Sequence, residues 1–143
     1  MPVKSSQSPV FRVQFVDDSM KGYKGLKVWQ RSKALAKVIY VKTEGFPKGE
    51  LYGLVNQMRR CAVSVPSNIA EGHARKEFKR FLDIAYGSLN ELETQAEIAM
   101  DLGFLKSKDF KEISSEIEEI GKMINGLKRS IESAIQHSLR TND

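Results

Sequence analysis

The 143-residue chain is long enough for one domain with a real core and too short for two. Its composition, 41% hydrophobic and 29% charged, is that of a globular protein, and no apolar run exceeds residues 38–41, which excludes a bilayer-spanning helix. The net charge of +5 leaves polyanions open as partners, while a single cysteine, Cys61, excludes an internal disulfide, leaves zinc without a ligand set and fits a reducing cytoplasm.

Residues 1–25 differ from the rest. They lack the unbroken apolar stretch of a signal peptide. Phe11, Val13 and Phe15 alternate with Arg12 and Gln14, a period of two that predicts a short strand or extended arm. Asp17, Asp18 and Ser19, then Gly22 and Gly25, end it. A first helix is predicted over 26–43, stopped by Gly45 with Pro47 beyond. A second runs over 49–72 and contains Pro66, which predicts a kink because the apolar rhythm continues to Ile69. The third covers 74–102 and ends at Gly103; Ser107 caps a fourth that reaches about residue 137. This gives an arm over 1–25, a bundle over 26–138 and a frayed tail over 139–143.

Apolar spacing predicts how these helices meet. Leu51, Val55, Met58, Ala62, Val65 and Ile69 alternate steps of four and three, as do Phe78, Leu82, Ala85, Leu89, Leu92, Ala96 and Ala99. Helix four repeats the pattern with Phe110, Ile113, Ile117, Ile120, Ile124, Leu127 and Ile131. Such seams belong to helices crossing at a shallow angle, so the predicted fold is an all-α, antiparallel up-down-up-down four-helix bundle. Antiparallel pairing sets Leu89 opposite Ile120, Ala99 opposite Phe110 and Ala62 opposite Leu89, with small residues repeatedly facing large ones. The same pairing sets Ile39 opposite Leu51 and Ser32 opposite Met58. On that register helix one begins opposite Ser64 and leaves the end of helix two uncovered. Mixed apolar and small polar residues beside the seams (Leu54, Cys61, Ser64, Asn68, Phe81, Ile84, Ser88, Ile98) then predict self-association or cover by the arm.

Catalytic signatures are missing. The chain has no Glu-x-x-His pair, CxxC, HExxH or Walker loop, so no cofactor or metal is expected. Arg129 and His137 are too far apart for the Arg–His pair of HEPN-type helical ribonucleases. Residues 22–25 resemble the GXXG loop of KH domains, without the α/β elements around it. Glu91 and Glu93 invite an acid–base reading, but Arg59 and Arg60 fall opposite Glu91, and a structural polar pair is the better account.

What remains is basic charge. Residues 1–80 carry 16 Lys and Arg against 6 Asp and Glu, whereas 81–143 carry 7 against 12. His73, Arg75, Lys76, Lys79 and Arg80 crowd the junction of helices two and three, and Lys24, Lys27, Arg31, Lys33 and Lys37 dot helix one and its approach. Either this is an ordinary solvated turn, diluted by Glu71 and Glu77, or Lys27, Arg31, Arg75, Lys76, Lys79 and Arg80 bind a nucleic acid without an aromatic stacking platform.

Three stretches carry a family resemblance. Phe46-Pro47-Lys48, Tyr52-Gly53-Leu54 and Gln57-Met58-Arg59-Arg60-Cys61-Ala62-Val63-Ser64-Val65-Pro66-Ser67-Asn68-Ile69-Ala70-Glu71-Gly72 resemble the signature of the bacterial four-helix bundle proteins. These are also called 23S rRNA intervening-sequence proteins, formerly S23 ribosomal proteins. Leu26-Lys27-Val28-Trp29-Gln30 is similar to that family's opening, and the run from Phe81 to Gln95 to its third helix. Residues 1–25 lie outside the resemblance. It implies a ring-like homopentamer, non-catalytic and encoded within intervening sequences of ribosomal RNA genes. The family is also similar to the accessory protein of diversity-generating retroelements, a basic pentamer that partners a reverse transcriptase and its nucleic acid. Arg59, Arg60, Asn68 and Glu71 match the motif, in packing or in binding. The expectation is a non-enzymatic, oligomeric, cytoplasmic protein that associates with RNA or DNA. The alternative is a protein–protein adaptor, such as a reverse-transcriptase accessory subunit.

Overall fold

Four helices carry the structure, a computed structural model that describes residues 22–141. They are α1 (Lys27–Thr43), α2 (Asn56–Arg75), α3 (Phe78–Asp101) and α4 (Ser107–Thr141), preceded by a 3-10 turn at Gly22–Gly25. The strand expected around Phe11–Phe15 and the last two residues of the tail lie outside the described residues. The GXXG-like stretch is that 3-10 turn, with Gly22 at φ 73. No helix among the described residues is long and apolar enough to cross a membrane.

The helix ends follow local chemistry. α3 stops where Gly103 takes a left-handed φ of 80, which lets the Phe104 N–H donate to the Ala99 carbonyl at 2.9 Å and the Gly103 N–H to Met100 at 3.0 Å. In α1, the Thr43 hydroxyl donates back to the Ile39 carbonyl at 2.7 Å in the last turn. α2 runs unbroken through the buried Pro66, so the expected kink does not end the helix.

α1 packs on α2 and α4, and α3 packs on the same two, closing a four-helix bundle around one core. Met58, Ala62, Val65 and Ile69 of α2, Leu82, Ala85, Leu89 and Leu92 of α3, and Ile113, Ile117, Ile120 and Ile124 of α4 are all buried, as their spacing predicts. Each large side chain buried here stabilises the fold by roughly 1.5–3 kcal/mol. Polar contacts fix the α3–α4 register. Lys79 pairs with Glu132, Asp83 with Lys128, and the Ser114 hydroxyl donates to Glu93 at 3.0 Å. Between α2 and α3, the Ser64 and Ser88 hydroxyls meet at 3.0 Å. Both registers are those expected from the seams.

The α1–α2 register is not. Arg59, expected opposite the start of α1, instead donates from Nε to Thr43 Oγ1 at 3.0 Å and from Nη2 to the Tyr40 carbonyl at 3.4 Å. The shift is about three helical turns. Its cause lies in residues 48–55, which are not the first turns of α2. They form a 3-10 turn at Lys48–Glu50 and a π-turn at Leu51–Val55, in which Gly53 (φ −106, ψ −110) leaves helical geometry. Leu51, placed in the seam by its spacing, is 47% exposed. The longer elbow slides α1 along α2, so α1 begins beside the end of α2, where the Gly22–Gly25 turn also packs. The end expected to be bare is covered.

Candidate nucleic-acid interface

The shifted register gathers the basic residues. With α1 beginning beside the end of α2, Lys24 and Lys27 stand at the same end of the bundle as His73, Arg75, Lys76, Lys79 and Arg80. The two basic segments, separate in sequence, thus meet at one end. Lys76 is the corner of the α2–α3 connection, in a left-handed conformation with φ 59.

Three of these cations have acidic neighbours. Arg75 Nε lies 2.7 Å from Glu71, Lys79 Nζ 2.7 Å from Glu132, and Arg80 Nη1 3.5 Å from Glu77. Glu132, through its hydrogen bond and charge, raises the Lys79 pKa above the usual lysine range, and Lys79 lowers that of Glu132 in return. All six side chains are at least 45% exposed, so water screens the pairs and they contribute little to stability. A phosphate oxygen can replace a carboxylate at such a site without unfolding anything. Among the described residues, Lys24, Lys27 and Lys76 form no ion pair. Arg80 also lies over the Phe81 ring, 5.6 Å from its centre, and the His73 ring meets Phe78 edge-on at 5.3 Å.

Arg31 does not belong to this group. Its Nε and Nη2 donate to the two carboxylate oxygens of Glu116, each at 2.7 Å, and its Nη1 lies 3.9 Å from the Met123 sulfur. The Glu116 hydrogen bonds and charge hold the Arg31 proton more firmly than usual, against the opposing effect of burial. The guanidinium clamps α1 to α4, with its charge already answered by Glu116.

The expected pairing of Arg59 and Arg60 with Glu91 also does not form. Arg59 turns to α1 and stacks 4.7 Å from the centre of the Tyr40 ring, and Arg60 is exposed. Glu91 acts on the Cys61 thiol of α2, whereas Glu93 accepts a hydrogen bond from Ser114 on α4. The two carboxylates therefore serve different helix contacts and do not converge. Burial, then the Glu91 carboxylate, push the Cys61 thiol up to about 11. At pH 8 the thiolate population, and with it the rate of iodoacetamide alkylation, is expected to be roughly a hundredfold below that of the unfolded chain. Equal rates in buffer and in denaturant would contradict that environment.

Sequence reasoning missed a second feature, at the opposite end. The elbow opens a cleft of about 640 Å³ lined by Tyr40, Val41, Phe46, Leu51, Val55 and Arg59 among others. Tyr40 is 46% exposed, and Tyr52, in the same elbow, 91%. The only signal was the Tyr52-Gly53-Leu54 triplet, whose glycine now marks the break.

Among the described residues, no group of His, Cys, Asp and Glu could hold a metal ion. No curated protein matches the chain. The family model described as 23S rRNA-intervening sequence protein matches residues 24–126, which take in α1, α2, α3 and the closely packed half of α4. That match covers well over half of the 143 residues, and the chain belongs to the 23S rRNA-intervening sequence protein family.

Proposed function

We propose that the chain is a non-enzymatic, self-associating bundle of the cytoplasm that binds RNA through the end carrying Lys27, Arg75, Lys76, Lys79 and Arg80. The observation that carries this reading is the meeting of two sequence-distant basic segments at one end, with every acidic neighbour there exposed and replaceable. Electrostatic contact with phosphates accounts for most sequence-independent affinity of this kind. Family membership supports assembly of several copies, a homopentamer by resemblance, and a ring with these ends aligned would multiply the charge presented to a strand.

Changing Arg75, Lys76, Lys79 and Arg80 together to alanine tests the interface. The substitutions are expected to weaken RNA binding and to flatten its log–log salt dependence by about 2, less than four free cations would give because three share their charge with a carboxylate. Fluorescence anisotropy over a salt series measures both. Unchanged affinity and slope would remove this end as the binding site. Light scattering is expected to return five times the chain mass, and a monomeric mass at micromolar concentration would refute self-association.

A second reading has its own support. The apolar elbow cleft, with Tyr52 standing out beside it, fits a protein partner better than a phosphate backbone, as an adaptor for an enzyme such as a reverse transcriptase requires. Loss of partner capture on Tyr52→Ala, with RNA affinity intact, would favour that reading.

A further inference from the structure

The apolar line of α4 outlasts its partners. Lys79, in the first turn of α3, already pairs with Glu132, yet α4 continues to Thr141. Residues 133–141 are all exposed and project about 13 Å past the level at which α3 begins. Their face is not polar throughout. Ile131, Ile135 and Leu139 follow one another at steps of four, continuing the side of α4 that buries Ile120 and Ile124. Ile131 is half-buried against the core, while Ile135 is 53% and Leu139 65% exposed. A helical extension this short, with no described residue packed on it, is marginal on its own in water. It needs a cover on its inward side.

The chain supplies one at the right place. Gly22 opens the turn that packs beside the end of α2, at the end of the bundle from which α4 projects. Just upstream in sequence stand Val10, Phe11, Val13, Phe15 and Val16, a dense apolar group. Residues 17–21 separate Val16 from Gly22, and the step between them spans up to about 20 Å, more than the length of the projection. Asp17 and Asp18 fall within that link in the sequence, and their charge is opposite to that of Lys27, Arg75 and Lys76 at this end of the bundle. We infer that residues 10–16 of this same chain lie against the Ile131, Ile135 and Leu139 face of α4. The inference is independent of RNA binding, and both partners lie largely outside the family match, which ends at residue 126.

Hydrogen exchange on the full chain tests it. Amides of residues 133–141 are expected to be protected, and Phe11→Glu with Phe15→Glu is expected to lower that protection by about tenfold while the amides of α2 and α3 keep theirs. Exchange equally fast in both proteins would overturn the inference. So would protection that rises with protein concentration, since a second copy would then be the cover. A disulfide pair gives a check that does not rely on the charged variant. In a Cys61→Ser background, Val13→Cys with Leu139→Cys is expected to close within one chain under mild oxidation, ahead of Val13→Cys with Ile98→Cys. Closure at equal rates, or only between chains, would sink the idea.

Discussion

Gly72→Ala is expected to destabilise the bundle by about 2–3 kcal/mol, although helix propensity alone predicts a gain of about 1 kcal/mol. Gly72 sits in the last turns of α2, where α3 comes closest. A Cβ there would stand 2.4 Å from Phe81 Cβ, 3.0 Å from Phe81 Cγ and 3.3 Å from Phe78 Cα. These atoms are backbone or the root of a side chain, so no rotamer change relieves the overlap. Only two residues join α2 to α3, which leaves the helices little room to part. Gly87→Ala is the control. It lies in the middle of α3 with nothing within 4 Å of an added Cβ, and is expected to stabilise by up to about 1 kcal/mol. Urea denaturation of the two variants decides the matter: if both shift the midpoint upward, the close approach of α2 and α3 is wrong.

The second large effect is expected at Glu116. Its carboxylate is buried, and the Arg31 side chain that grips it is 23% exposed. Breaking a fully buried ion pair from one side costs roughly 3–5 kcal/mol, because the abandoned charge stays in low dielectric. Arg31 can lean toward water, so Glu116→Ala is expected to cost about 2–3 kcal/mol. Replacing both partners, as Arg31→Met with Glu116→Leu, removes the stranded charge and is expected to recover most of that loss. Denaturant midpoints of the single and double variants form the comparison. A single variant within about 0.5 kcal/mol of the parent would place this contact among ordinary surface pairs.

The sequence made the α2–α3 and α3–α4 contacts legible because both hairpins have short connections and unbroken helical rhythm. Leu89 and Ile120 are buried as their spacing requires, and Ser114 reaches Glu93 where the pairing places it. The α1–α2 contact was not legible. Leu51 stands four residues before Val55, so the rhythm continues on paper through a segment whose backbone has left the α-helix. Periodicity records side-chain spacing, not the φ and ψ of Gly53. Of the candidate site, the clustering of basic charge was legible, since Arg75, Lys76, Lys79 and Arg80 are near neighbours in sequence, but the approach of Lys27 to the same end depends on the α1–α2 register. The Arg31 ion pair was not legible, because a long cationic side chain pairs with whatever carboxylate the fold brings near it. Glu116 lies 85 residues away, on a helix whose position relative to α1 no local pattern reveals. Arg59 failed as a partner for Glu91 for the same reason.

Lys76 turns the corner between α2 and α3 with a backbone that suits glycine better, by about 1 kcal/mol. With lysine there, the bundle forgoes close to a fivefold gain in its folded-to-unfolded ratio. Because the corner is two residues long and anchored by a helix on each side, the backbone that carries the charge has little room to wander. A partner of opposite charge would have to order only the side chain there and not the backbone beneath it, which a lysine on a long loop would also require.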